Sequence, residues 1–218
     1  VRRVWTATSK AVLRANGQVF YSPVVEAVAR IPTQDLRMSA EAAKVRLSAL
    51  GFHDEDAGLR HIEALTSGTS RAVRIQTALM PAMLAWLADG PSPDHGLLAF
   101  RQVSEALGES PWYLRALRDE GAMAQRLAVV LSTSRYAVDV LTRAPETVQV
   151  LVDDDLTPLS REDLARQMNA VARRHHDVEE AVGAIRAVRR RELFRILVAD
   201  ILNVTGIRRI GQALTDLT

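Results

Sequence analysis

Paired carboxylates, adjacent histidines and a dense run of arginines are the groups in this sequence whose chemistry could reach beyond the fold. Asp153-Asp154-Asp155 and Asp54-Glu55-Asp56 each place two carboxylates one residue apart. In nucleotidyl transfer such a pair sits on a strand and holds Mg²⁺ between its oxygens. Neither trio follows a glycine-serine turn, and both fall between helical patterns. They read as solvated loop acids or as charges at helix N-termini, where the macrodipole favours them. His175 and His176 stand close to Asp177, Glu179 and Glu180. Neighbouring residues on a helix point about 100° apart, so this pair cannot chelate as an i, i+4 pair would. His175 continues the face of Leu164, Met168 and Val171, and a histidine at a helix end, meeting the dipole, is the better reading. His53, His61 and His95 are isolated from any serine or carboxylate arrangement that would mark a catalytic base.

The arginine run is the strongest charge feature: Arg186, Arg189, Arg190, Arg191 and Arg195, with Glu192 among them. It shares a helix with the apolar stripe Val182, Ile185, Leu193, Ile196, Leu197, Ile201 and Val204. Asp200 falls inside that stripe, where a carboxylate is costly unless an arginine or several donors meet it. One reading is a salt-bridged carboxylate that fixes helix packing. The other is an arginine face that docks a neighbouring nucleotide-handling domain or its phosphates. No glycine-rich phosphate loop is present. Trp86, Trp112 and Tyr113 read as core or interface anchors.

The elements that must position these groups are helices throughout. Leu97, Phe100, Val103 and Leu107 form one stripe at spacings of three and four, and Met123, Leu127, Val130 and Leu131 another. No sustained alternation and no Asn-Gly or Asp-Gly hairpin turn appears. Ser92-Pro93 and Ser110-Pro111 supply an acceptor followed by proline at the first helical position. Ser39, Ser70, Ser134 and Ser160 are further N-cap candidates, and Asp177 with Glu180 has capping-box spacing. Gly51, Gly90, Gly108 and Gly121 follow periodic runs and are expected as left-handed terminators. Pro81 interrupts the wide apolar pattern from Arg71 to Asp89, which predicts a kink or break in a helix central to its bundle. The expected fold is all-α, a multi-helix bundle of about ten helices with short loops and no sheet.

The 218 residues include no cysteine, which removes disulfides, thiolate metal sites and cysteine nucleophiles together. The net charge is only +2, lysine occurs only at Lys10 and Lys44, and acids are interleaved with the arginines. A duplex binder would segregate its charge, so nucleic acid is not the expected partner. The first residues lack the apolar run of a signal peptide, and no stretch approaches the roughly 18 apolar residues of a membrane span. A soluble, cytoplasmic chain is expected. The expected seam is Ile31 to Met38: residues 1–30 read as the tail of a preceding helical module, 31–38 as a linker and 39–218 as a helical domain. Helical patterning runs to Leu217 without a stop signal, as in a chain cut from a longer one.

Several stretches, in order, resemble the bifunctional glutamine synthetase adenylyltransferase and adenylyl-removing enzymes of actinobacterial type. They are Phe20-Tyr21-Ser22-Pro23-Val24-Val25-Glu26-Ala27-Val28; Gly51-Phe52 with Ala57-Gly58-Leu59-Arg60-His61-Ile62-Glu63-Ala64-Leu65; and Gly96-Leu97-Leu98-Ala99-Phe100-Arg101 running on to Pro111-Trp112-Tyr113-Leu114. Then follow Leu131-Ser132 through Ser134-Arg135-Tyr136, with Leu141, Arg143, Pro145 and Glu146. The last is Arg190-Arg191-Glu192-Leu193-Phe194-Arg195-Ile196, with Asp200 and Gly211-Gln212-Ala213-Leu214-Thr215-Asp216-Leu217. Each piece alone is a helix-face pattern; the ordered set carries the resemblance. It implies a noncatalytic helical region between two nucleotidyltransferase halves, one attaching AMP from ATP to glutamine synthetase and the other removing it. The halves, with ATP and Mg²⁺, would lie outside this chain, and no catalytic, cofactor or metal residue transfers onto it. Arg191, Glu192, Arg195 and Asp200 match the helix that precedes the second half and are the candidate contact with it. Glutamine synthetase and a PII signalling protein are the implied partners. The alternative is a free-standing helical scaffold for protein partners.

Overall fold

The computed structural model describes residues 40–217. The seam at 31–38, the segment before it and the Ser39 cap lie outside the described residues. Among those described there are ten α-helices, one 3-10 helix and no strand, as the periodicity requires. They group into two compact units, one ending at Thr133 and the other beginning at Ser134.

The first unit comprises α1 (Ala40–Ala49), α2 (Glu55–Thr66), α3 (Arg71–Ala88), α4 (Pro93–Leu107), α5 (Pro111–Asp119) and α6 (Gly121–Thr133). Helix α3 packs against α2, α4, α5 and α6. That central position explains its wide apolar surface, with Ile75, Met80, Met83 and Leu87 all buried. Pro81 does not break it: the helix runs unbroken from Arg71 to Ala88. Both sequence stripes are sealed, Leu97, Phe100 and Val103 on α4 facing the same core as Met123, Leu127, Val130 and Leu131 on α6. The Tyr113 hydroxyl, fully buried, lies 3.1 Å from Ser104 Oγ, and desolvation pushes its pKa well up. Its ring meets Trp112 edge-on, 5.9 Å between centroids, so Tyr113 is a core anchor.

The glycines differ from expectation. Of the four expected terminators only Gly51 is left-handed, at φ +90°, while Gly108 is right-handed. Gly121 opens α6 instead of ending a helix. Gly90 serves close packing: a Cβ there would lie 2.1 Å from Ser132 Oγ on α6. Gly96 does the same, with a Cβ 2.7 Å from Leu87 Cδ2 and 3.1 Å from Ser132 Cα. Caps also divide. Ser70 accepts from the Val73 N–H, but Ser92 and Ser110 accept no cap bond from their side chains. The proline at the first position of those helices already removes one orphan donor.

The second unit comprises α7 (Arg135–Arg143), the 3-10 helix (Pro145–Val152), α8 (Arg161–Ala172), α9 (Val178–Ile201) and α10 (Ile207–Asp216). Helix α9 packs against all four others. Leu164, Ile196, Ala199, Ile210, Ala213 and Leu217 form its apolar cluster, with Met168, Val188 and Leu193 against the edge. Ser134 and Ser160 cap α7 and α8 through the N–H groups of Ala137 and Asp163. Asp177 accepts from the Glu180 N–H, half of a capping box. Asn203, at φ 53°, takes the left-handed position after α9, a place where glycine was the residue to look for.

Helix α9 is two different helices end to end. No residue from Val178 to Arg191 is buried, whereas Glu192, Phe194, Arg195, Ile196, Val198, Ala199 and Ile201 all are. A single stripe was the wrong expectation for it. Val182 and Val204 are each 37% exposed, and Phe194, Val198 and Ala199 supply the core contacts. The C-terminal half is enclosed on most sides, so periodicity loses its meaning there.

Candidate functional site

The four residues singled out on α9 separate by depth. Glu192 and Arg195 are 3% and 8% exposed, while Arg191 and Asp200 are exposed. Asp200 is therefore not the buried carboxylate its place in the stripe suggested. Glu192, about two turns earlier on the helix, is.

Glu192 and Arg195 together fasten the loop that runs from Asp153 to Ser160. Glu192 Oε1 accepts from the Leu159 N–H at 2.8 Å. Arg195 Nη1 donates to the Asp155 carbonyl at 2.9 Å and Nη2 to Asp153 Oδ2 at 2.5 Å. Arg195 Nε lies 3.4 Å from Glu192 Oε2 but is not aligned for a hydrogen bond. Arg191 adds a longer approach to Asp153, 3.9 Å. From α10, Arg209 Nη2 donates to the Pro158 and Leu159 carbonyls at 3.1 and 3.3 Å. Irregular backbone cannot satisfy its own carbonyls, so a loop that packs inward at Leu156 and Pro158 needs such donors. Arginine suits the task because its planar fork presents several donors at once.

Burial raises the Glu192 pKa, opposed by the Leu159 N–H and then by the Arg195 and Arg191 charges. Thr157 donates to Asp155 through both hydroxyl and amide and holds that carboxylate below its ordinary range. So Asp153 is not a freely solvated loop acid; it is partly exposed and paired with the buried Arg195 guanidinium. Asp155 is tied within the loop. Asp54, from the other acidic trio, caps α2 through the Ala57 N–H at 2.8 Å, as the helix-end reading expects. Asp56 pairs with Lys44 at 2.7 Å.

The histidines fall elsewhere. His175 is not on a helical face with Leu164 and Met168; it lies beyond the end of α8, with Nδ1 3.3 Å from Glu180 Oε2. In the first unit, an open cleft of about 200 Å³ is bordered by Asp54, His61, Asp94, His95 and Leu98. Sequence reasoning treated its histidines singly. His61 Nδ1 lies 3.2 Å from Arg101 Nη1. A guanidinium only donates, so this nitrogen accepts and the ring is neutral. Burial first, then Arg101 and Arg60, depress the His61 pKa. Asp94 is occupied by the backbone N–H groups of His53 and Asp54, which straps the α1–α2 loop to the start of α4. No serine, threonine or lysine is among the described residues that line this cleft.

Comparison with known proteins bears on both units. The family model described as Glutamate-ammonia ligase adenylyltransferase matches residues 124–218, from within α6 through the whole second unit. A bifunctional glutamine synthetase adenylyltransferase/adenylyl-removing enzyme of Cutibacterium acnes is 99% identical over 218 residues, all of this chain and 22% of that protein. The chain belongs to this adenylyltransferase family. The Streptomyces coelicolor enzyme of the same name is 47% identical over 99% of the chain, and that of Mycobacterium bovis 39% over 94%. The chain spans about a fifth of the length of these relatives. No solved structure matches it. Adenylyl transfer calls for Mg²⁺, and the described carboxylates do not fit that ion. Asp153 and Asp155 carry the nearest spacing to a metal pair. The first is held by Arg195 and the second by Thr157, and no group of three His, Asp or Glu able to hold a metal occurs among the described residues.

Proposed function

We propose that this chain is a noncatalytic helical part of a bifunctional glutamine synthetase adenylyltransferase/adenylyl-removing enzyme, placed between its two nucleotidyltransferase halves. The observation that carries the reading is end-to-end similarity to enzymes of that name at about a fifth of their length. The engagement of its strongest charges, Glu192, Arg195 and Asp153, in fastening their own loop supports a framework role. In this reading residues 1–30 end a preceding helical module, 31–38 link it, and 39–218 lead into the second half. Arg191 and Asp200, exposed on α9, make the contact with that half, and Glu192 and Arg195 position them from inside. Glutamine synthetase is the substrate, ATP and Mg²⁺ bind in the flanking halves, and a PII signalling protein acts on the whole. Such an enzyme works in the cytoplasm, in keeping with the lack, among the described residues, of any helix long and apolar enough to cross a membrane.

The test is AMP incorporation into glutamine synthetase from Mg²⁺-ATP. The full-length protein is expected to transfer AMP and the 218-residue chain to transfer none. Transfer by the isolated chain overturns the reading. Arg191→Glu or Asp200→Lys in the full-length protein is expected to lower transfer several-fold without unfolding the second unit; unchanged rates remove these two residues from the contact.

A further inference from the structure

Helices α8 and α9 form a hairpin whose outer part shares little with the body of the second unit. The exposed residues 173–177 join Ala172 to Val178, and α8 packs chiefly against α9. No residue from Ala165 to Arg191 is buried; burial begins with Leu164 on α8 and with Glu192 on α9. Met168 and Val188 still touch the apolar cluster. Outward of them, the half-buried residues are Val171, Ala172, Ala181, Ala184 and Ile185. Most of these are alanines, so little apolar surface leaves water along the seam. The polar contacts of the stretch are its own: Asp177 accepts from the Glu180 N–H at 2.9 Å, and His175 Nδ1 lies 3.3 Å from Glu180 Oε2. Among the described residues, no side-chain hydrogen bond or ion pair ties residues 169–187 to the body of the unit. The first polar tie on α9 is Arg189, whose Nε donates to the Leu217 carbonyl at 3.2 Å.

Gly183 is an independent observation on the same stretch. It sits inside α9, and nothing lies within 4 Å of the place its Cβ would take. No packing requires a glycine there, and it weakens the helix that carries it. Helices shorter than about 12–15 residues are marginal in water without a packed face, and both strands of this hairpin are short and weakly packed. We infer that residues 169–187 are an arm that opens and closes as one unit while the body of the second unit stays folded. Opening stops at the level of Glu192 and Arg195, because there α9 is buried and tied to Leu159, Asp153 and Asp155. The clamp is thereby the fixed base of a movable hairpin. Elements that move in switching come from the low-stability end of a structure, and this arm is that end of the second unit.

Amide exchange of the full-length protein, followed where rates report opening equilibria, tests this directly. Protection of residues 179–187 is expected to be at least about 100-fold lower than that of residues 194–201 on the same helix, as separate opening requires. Equal protection along α9, or low protection that runs on through residue 201, overturns the arm. Gly183→Ala tests whether the two strands open together. Restoring helix propensity should raise protection about 2- to 5-fold in residues 179–187 of α9 and equally in residues 169–172 of α8, with residues 194–201 unchanged. A rise confined to α9, or none, overturns opening as a unit, since α8 can gain only through its coupling to α9.

Discussion

The two units solve the same problem, holding helices together, with different chemistry. The first seals an apolar interior in which Phe100, Met80, Met83, Leu127 and Leu131 are fully buried. Its buried serines are neutral and paired within the unit: Ser104 Oγ lies against the Tyr113 hydroxyl, and the Ser132 hydroxyl donates to the Ala128 carbonyl at 2.8 Å. The second has a smaller apolar cluster and adds a desolvated carboxylate–guanidinium pair that fastens a loop. A sealed core responds to lost volume. A buried ion pair responds to lost charge, because the partner left behind is stranded without water.

Phe100→Ala should produce the largest effect, about 3–5 kcal/mol for truncating a fully buried aromatic, read as a loss of exchange protection across α3, α4 and α6. A loss below about 1 kcal/mol would mean the first unit is less tightly packed than its burial implies. Arg195→Met comes next, at about 3 kcal/mol, because Glu192 would remain buried without its cation. Adding Glu192→Gln should restore most of that stability. If the double variant is no better than the single, the clamp is held by packing and not by charge.

The pH response sharpens the contrast further. Folding raises the Glu192 pKa above its ordinary 4.5, so the folded unit holds that proton more tightly than the unfolded chain. Its contribution is full below the ordinary value and is lost as pH rises through the raised one. Hydrogen bonds from Ser160 and then Arg166 hold Asp163 below 3.8, and Thr157 does the same for Asp155. Their contribution is present above 3.8 and disappears as pH falls through their lowered values. The second unit should thus be most stable at mildly acid pH. Glu192→Gln should flatten the decline toward neutrality and leave the acid limb unchanged, as followed by urea unfolding across pH 3–8.

The smallest effects concern two glycines, one in each unit. Gly96→Ala should destabilise by about 1–3 kcal/mol, the usual cost of overpacking, since its Cβ would press on Leu87 and on the Ser132 backbone. Gly211→Ala in α10 meets nothing within 4 Å and should stabilise the chain by about 0.5–1 kcal/mol through helix propensity. Thermal melts of the two variants, moving in opposite directions, would confirm that only the first glycine is there for packing.

Much of this was legible in the residues. Stripes at spacings of three and four, serine caps at 70, 134 and 160, and the missing hairpin turns establish helices on local grounds, because helix hydrogen bonds and caps close within four residues. The candidate site was legible only in part. The run on α9 pointed to Glu192 and Arg195, but their partners Leu159, Asp153 and Asp155 lie 33 to 42 residues away, and no local spacing encodes that meeting.

By itself the sequence determined the all-helical class, most helix starts and the family, since each rests on neighbours along the chain or on the order of motifs. Tertiary structure alone decided which carboxylate is buried, Glu192 and not Asp200, and which glycines are for packing and not for turning. It also decided that half of α9 is enclosed while the other half stands open. These are questions of what surrounds a side chain, and surroundings are assembled by packing, not by adjacency.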